Sequence, residues 1–406
     1  MKITLSHSGK QHAYHVANAL MKLGYLDRFI TSSYVTNLRL QRWFLSRNDQ
    51  FFTRRFQPGL GGKFVESNWR FEFKEAFLRK RFGKSSIVQD AVYSRDVAFD
   101  NYVANRLPEL PSDVFWGFQG SSMNSLKAAN DLGRLSICEL ATAHVTGARK
   151  ILGEEARLQP EWADSMDNLV FPVEYEKRLE QEPHIAQKVV AASEFTRQTL
   201  LDDNVPDQKI HKLYLGFDTK YISHNPEHTP ISNRPLKLLY AGTVTQRKGI
   251  SYLLEAIKSF NKSDVELHII GGIQGSGKAF LSQKKFYKYL PAVSQSVMFN
   301  LYKEYDALVL PTIFEGFGLV IVEAMAAGLP VIATPNSIAP EIIENGVDGF
   351  IVPIRQPEAI RLAIGKLRSM DNNQYSSMRQ LVRNKVNLFT WDAYQKNLLF
   401  FLKSLN

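Results

Sequence analysis

Short apolar runs that stop at glycine or proline alternate with stretches of helical spacing, most clearly in the C-terminal half of the chain. Leu236–Ala241 ends at Gly242, Val265–Ile270 ends at Gly271-Gly272, Ala307–Leu310 ends at Pro311, and Val331–Ala333 runs into a turn at 334–337. Each reads as a strand. Between them, residues 250–260 place Leu253, Leu254 and Ile257 on one face, and 297–305 and 318–327 read as further helices, the last stopped by Gly328 and Pro330. Such alternation predicts a parallel sheet covered by helices. The N-terminal half shows the same rhythm less cleanly. Residues 2–6, 113–118, Leu135–Leu140 and 188–192 read as strands, and 12–23 and 195–201 as helices, the latter after Ser193 as N-cap. A polar, proline-containing stretch at 223–235 separates the halves as a linker.

Composition adds bounds. The 406 residues allow two or three domains. At 44% hydrophobic and 22% charged, the chain can bury sizeable cores, and disorder over most of its length is excluded. No run of eighteen apolar residues occurs, and the start turns polar by Ser6, so neither a membrane span nor a secretory signal is expected. Cys138 stands alone in an apolar stretch, which predicts a buried thiol and a reducing, cytoplasmic setting.

The candidate chemistry lies where strands give way to helices, since ligands of such sheets bind beyond the carboxyl ends of the strands. Glu315-Gly-Phe-Gly-Leu-Val-Ile-Val-Glu323 follows one strand and opens a helix. Its glycines let backbone approach a ligand, and the helix start presents unpaired N–H groups to an anion. Glu323 lies about 7 Å along the axis from Gly318 at ~1.5 Å per residue. A diphosphate at the helix start would therefore have a carboxylate on either side for sugar hydroxyls. Gly242-Thr-Val-Thr-Gln-Arg-Lys-Gly249 sits at another strand end and supplies two cations, Arg247 and Lys248. Cations there neutralise charge on a departing diphosphate. Taken singly, each motif could be a solvated turn.

Together, the stretch from about 236 to 352 resembles the donor domain of family-four retaining glycosyltransferases of the GT-B fold. The resemblance rests on the Gly242–Gly249 loop, the Gly271-Gly272 loop, Asp306-Ala-Leu-Val-Leu-Pro311, and the carboxylates Glu315 and Glu323. It extends through Ala324-Met-Ala-Ala-Gly-Leu-Pro-Val-Ile-Ala333, Pro340-Glu341 and the Gly346–Phe350 turn. It implies an α/β architecture of two Rossmann-like domains facing across a cleft. One spans 1–222 and binds the acceptor; the other spans 223–390 and binds the nucleotide-sugar donor. A final helix at 391–406 is expected to pack back on the first. It also implies roles. Arg247 and Lys248 bind the diphosphate, Glu323 the ribose, and Glu315 the transferred sugar, while the backbone of Phe317, Gly318 and Leu319 meets sugar and phosphates. Gly242, Thr243 and Gly272 flank the donor. Thr243 stands where many members carry Arg. In the first half, Ser6-His-Ser-Gly-Lys-Gln-His12 resembles the glycine loop that closes on the cleft, with Gly9 as its flexible point. Glu139-Leu-Ala-Thr-Ala-His144 resembles the site of a histidine lining the reaction centre, so that His144, Arg247, Lys248 and Glu315 form the catalytic set.

The resemblance implies transfer of a hexose-like unit from a nucleoside diphosphate sugar to a hydroxyl on a saccharide or lipid-linked acceptor, with retention and with neither metal nor cofactor. The chain carries no Asp-x-Asp and no clustered His/Cys set. No protein base is evident, which leaves the departing phosphate to take the acceptor's proton. A sugar-nucleotide epimerase and a non-catalytic module on the same fold are the alternatives. Gly272-Ile-Gln-Gly-Ser-Gly-Lys-Ala279 nearly spells a P-loop but lacks the final Ser/Thr for magnesium.

Charge raises one further expectation. Of the net +10, residues 39–84 carry +8, from 12 Lys/Arg and 4 Asp/Glu, with aromatics interleaved (Trp43, Phe44, Phe51, Phe52, Phe56, Phe73, Phe77, Phe82). Such a segment suits an anionic membrane surface on the cytoplasmic side, or a solvated face with its aromatics in the core. Nucleic acid is the least expected partner.

Overall fold

The computed structural model describes residues 1–9, 12–47, 50–82, 86–169, 171–218 and 234–405. Two wholly parallel sheets organise the chain. The first has seven strands: β1 (Ile3–His7), β2 (Leu26–Thr31), β3 (Val65–Ser67), β4 (Val114–Phe118), β5 (Leu135–Leu140), β6 (Lys188–Ala191) and β7 (Ile210–Lys212). Their order is β3-β2-β1-β4-β5-β6-β7. The second has six: β8 (Leu236–Ala241), β9 (Val265–Ile270), β10 (Lys288–Leu290), β11 (Ala307–Leu310), β12 (Val331–Ala333) and β13 (Gly349–Ile351), in the order β10-β9-β8-β11-β12-β13. Both reverse direction beside their first strand, and that crevice is where open parallel sheets take ligands. The expected α/β pair of Rossmann-like sheets is therefore what forms.

The central strands β1, β4, β8 and β11 are almost wholly buried, as helices on both faces demand. The short edge strands β3, β7, β10 and β13 escaped the sequence reading, because three residues carry too little periodicity. So did β2, whose Asp27 and Arg28 break its apolar run. The helix expected at 297–305 runs instead over Gln295–Leu301, starting where Ser294 accepts from the N–H of Val297, and tightens into a 3₁₀ turn at Tyr302–Glu304. Ser193 caps Glu194–Leu201 by accepting from Thr196 N.

Two segments cross between the halves. The last helix, Trp391–Lys403, buries Tyr394, Leu398, Phe401 and Leu402 in the core formed by β1, β4 and the helix Ala13–Lys22. Phe401 meets Trp116 edge-on, and Trp391 stacks on His15 at 4.0 Å. Conversely Ala148, Leu152, Trp162 and Met166 of the first half join the core around the second sheet. The linker reading at 223–235 falls almost wholly on 223–233, outside the described residues. Beside it, Phe217 N donates to Phe389 O at 2.9 Å, so the outgoing and returning chains run together.

Candidate active site

The loop after β8 is shaped by glycine and held from the other half. Thr245 Oγ1 donates to Ser165 O (2.6 Å), Gln246 N to Ser165 Oγ (2.8 Å), and Gln246 Nε2 to the buried Glu155 (2.7 Å). A single 3₁₀ turn, Gln246–Lys248, follows. Gly249 closes it at φ +69°, where a Cβ would lie 1.9 Å from Pro311 O, so both backbone and space demand glycine. This turn aims Lys248 back along the loop, and its Nζ lies against Gly242.

The loop after β11 meets it. Gly318, at φ +88°, is the N-cap of the helix Leu319–Ala326, whose first N–H groups have no carbonyl partner within the helix. Lys248 Nζ stands 3.2 Å from Glu315 Oε2. Burial alone would raise the Glu315 carboxyl, but Lys248 and then Arg247 outweigh it and hold it below the usual range. Glu323, one turn into the helix, accepts from Tyr302 OH (2.9 Å) and Gln295 Nε2 (3.3 Å). Burial pushes its carboxyl up against those two donors.

These groups share one cavity of about 730 Å³ between the halves. Of the residues singled out from sequence, Gly242, Thr243, Lys248, Gly272, Glu315, Phe317, Gly318, Leu319 and Glu323 line it. The helix start and Lys248 thus face one space, as a shared diphosphate requires.

Three others stand elsewhere. Arg247 lies behind the wall: its guanidinium donates to Phe314 O at 2.8 Å and reaches Glu315 at 3.4 Å, so its charge acts through Glu315. Gly9 is not on the wall; it lies beside the His7 ring, to which its N–H donates at 2.7 Å. His144, the N-cap residue of the helix Val145–Leu158, is fully buried, its Nδ1 2.8 Å from Thr146 Oγ1 and its backbone N–H on Thr199 Oγ1. Burial lowers its pKa, and no part of it reaches the cavity. The first half presents Ala141, Thr142, Leu215 and His12 instead. Sequence reading missed these, along with Gln295 and Tyr302. A carboxyl-end rule applied to β1 as strictly as to β8 and β11 would have marked His12.

The near P-loop is filled by the protein itself. Ser276 N donates to Asp164 Oδ2 at 2.7 Å, and Gly275 packs against the Asp164 backbone. Only four residues of helix follow, Lys278–Leu281. A phosphate would have to displace that carboxylate.

Two parallel sheets facing across a cleft, with a helix start and a lysine at the strand ends of the second, define the GT-B class. Residues 222–385 match the family model described as "Glycosyl transferases group 1". The chain is similar to the MMP alpha-(1->4)-mannosyltransferase of Mycolicibacterium hassiacum, 26% identical over 230 residues, 54% of each chain. It is also similar to the putative colanic acid biosynthesis glycosyltransferase WcaL of Salmonella typhimurium, 24% identical over 217 residues, 49% of this chain and 52% of that one. The match thus spans about half the length of these curated relatives. The fold is that of HepE from Anabaena, solved in complex with UDP and glucose, with a TM-score of 0.64, 15% identity and full coverage of both chains.

Proposed function

We propose that this protein transfers a sugar, with retention of configuration, from a nucleoside diphosphate sugar to a hydroxyl acceptor. The observation that carries the reading is the convergence of Lys248 and the Leu319–Ala326 helix start on one cavity flanked by Glu315 and Glu323. In this reading the diphosphate lies on the helix N–H groups and displaces Glu315 as the partner of Lys248. Glu315, freed from the lysine, accepts from the transferred sugar's hydroxyls. Glu323, aligned by Tyr302 and Gln295, takes the ribose. As the anomeric C–O bond breaks, Lys248 and the helix start stabilise the charge gathering on the leaving diphosphate. That positive charge comes from the protein, so no metal is required. Closure of the halves excludes water.

Support for surface polysaccharide or glycolipid synthesis comes from the likeness to WcaL. A cytoplasmic protein resting on the inner face of the membrane fits the exposed basic and aromatic segment; no described helix is long and apolar enough to cross a membrane.

A thermal-shift panel of UDP-, GDP- and ADP-sugars tests the donor assignment, since a ligand of the folded form raises its melting temperature. One member of the panel should do so with EDTA present. No shift from any would contradict the reading.

A further inference from the structure

The loop that carries Lys248 is anchored to a charged pair that stands off the cavity wall. Glu155, near the end of the helix Val145–Leu158, is fully buried. Its Oε1 accepts from Gln246 Nε2 at 2.7 Å, and its Oε2 from Arg355 Nε at 2.6 Å. The Arg355 guanidinium also donates to Glu154 Oε2 at 2.7 Å and to Ile151 O at 3.0 Å. Arg355 belongs to the second half, between β13 and the helix Pro357–Ser369. A carboxylate of the first half thus ties together two segments of the second. Neither it nor the arginine lines the cavity.

Two features mark the pair as more than a contact between halves. Arg355 holds φ +61°, a left-handed backbone that a residue with a Cβ rarely takes. Among the described residues the other non-glycine at positive φ is Asn204, and asparagine tolerates that region far better. Such strain persists where the surroundings over-determine it, and here the guanidinium bonds to Glu154, Glu155 and Ile151 do so. The second feature is the orientation of Gln246. A carboxylate only accepts, so the amide turns its NH2 to Glu155, which leaves Oε1 for Ser251 N at 3.2 Å. Gln246 is itself buried at the head of the 3₁₀ turn Gln246–Lys248, its backbone N–H fixed by Ser165 Oγ. A flipped amide would set N–H against N–H at the first turn of the helix Ile250–Ile257. Burying a carboxylate is costly unless it is paired, and the arginine pairs it.

We infer that Arg355 and Glu155 are positioning residues for Lys248: they lock its turn so that the ammonium faces the diphosphate before the donor arrives; the inference rests on the glycosyl-transfer reading. The contacts run from Arg355 to Glu155, from Glu155 to Gln246, and from Gln246 through a single turn of backbone to Lys248. A lysine is a point charge on a flexible stem, so what it contributes at a diphosphate depends on where its backbone is held. The helix that carries Glu155 starts just beyond Ala141 and Thr142, which line the cavity. One element therefore sets the first-half wall and, about 15 Å along its axis, the anchor of the donor cation.

A double-mutant cycle on nucleotide affinity tests this. The wild type, Arg355→Gly, Lys248→Ala and the doubly substituted chain are titrated with whichever of UDP, GDP and ADP raises the melting temperature. Glycine suits φ +61°, so Arg355→Gly removes the guanidinium and keeps the turn. It should weaken nucleotide binding about tenfold in the wild-type background, and by less than about twofold once Lys248 is gone. A merely structural role would lower the melting temperature of the free protein and weaken binding equally in both backgrounds. That result, or wild-type affinity in Arg355→Gly, overturns the inference alone. Should Arg355→Gly fail to fold, Glu155→Gln goes through the same cycle with the same outcomes: its amide oxygen still accepts from Gln246, but Arg355 loses the buried carboxylate. If no nucleotide raises the melting temperature of the wild type, or if Lys248→Ala binds as tightly as the wild type, the transfer reading fails and takes the inference with it.

Discussion

Lys248 and Arg247 are adjacent in sequence and unequal in space. Lys248 lines the cavity, whereas Arg247 is tied to Phe314 O and reaches inward only through Glu315. Replacing Lys248 by Ala should lower turnover about 10²–10³-fold, the usual cost of one preorganised donor at developing charge. Arg247→Ala should cost less, and steady-state rates of both variants check the order. Equal losses would mean that the arginine swings into the site when donor binds. The pair also shows what one sequence discloses. Two cations before a glycine announce a phosphate site, but the turn at Gly249 decides which of them faces it. Gly316 was legible only as part of a motif. Its reason is spatial: a Cβ there would lie 2.4 Å from Ala141 O, where the two halves abut. His144 was misplaced for a related cause. A histidine after a strand looks alike in sequence whether it faces a cleft or a helix, and the ring in the cavity belongs to His12.

Elements of the first half carry a burden that sequence did not show. Glu182, in the helix Val173–Ile185, sends its carboxylate to the start of the helix Met123–Asp131, accepting from the N–H groups of Gly120 and Ser122. Complete burial nevertheless pushes it up to about 7 from its ordinary 4.5, against those bonds and Arg178. Below pH ~4.5 the group is protonated in folded and unfolded chains alike. Between there and about 7 the unfolded chain releases its proton while the folded one keeps it, so stability falls as pH rises. The melting temperature should therefore drop across that window, and Glu182→Gln should flatten the drop, as melts at stepped pH would reveal. A parallel slope in wild type and variant would show that the carboxylate is ionised throughout. No pattern in the sequence marks such a residue, because i, i+4 neighbours cannot tell a buried helix face from a wet one. The strands β8, β9, β11 and β12 were legible, since unbroken apolar runs bounded by glycine or proline have few other readings.

At the scale of the whole molecule, three features stand out: the cleft, the crossing segments and the basic surface. The two halves are pinned away from the cavity as well as beside it. Glu341 accepts from Glu194 N and Tyr214 OH (2.7 and 2.6 Å), and Arg355 grips Glu154 and Glu155. The final helix packs in the core of the first sheet, and its burial of Leu398, Phe401 and Leu402 is worth about 1.5–3 kcal/mol per side chain. The aromatic segment divides between its two readings. Phe44 and Phe56 are buried, and Phe52 stacks on Phe44 at 4.1 Å. Trp43, Phe51, Phe73, Phe77 and Phe82 are exposed, five of the six exposed aromatics among the described residues. A surface that combines them with Arg and Lys suits anionic headgroups. The protein should float with vesicles rich in anionic lipid and stay behind with neutral ones, the difference shrinking at high salt. Equal recovery with both would leave the segment a solvated face.

The proposed transfer requires Lys248 and the start of the Leu319–Ala326 helix to hold a single pyrophosphate. A crystal structure with the nucleoside diphosphate that raises the melting temperature tests it most directly. Phosphate oxygens are expected within about 3 Å of both the helix-start N–H groups and Lys248 Nζ, with the Lys248–Glu315 contact opened. A nucleotide bound elsewhere, or phosphates turned away from that helix, would contradict it.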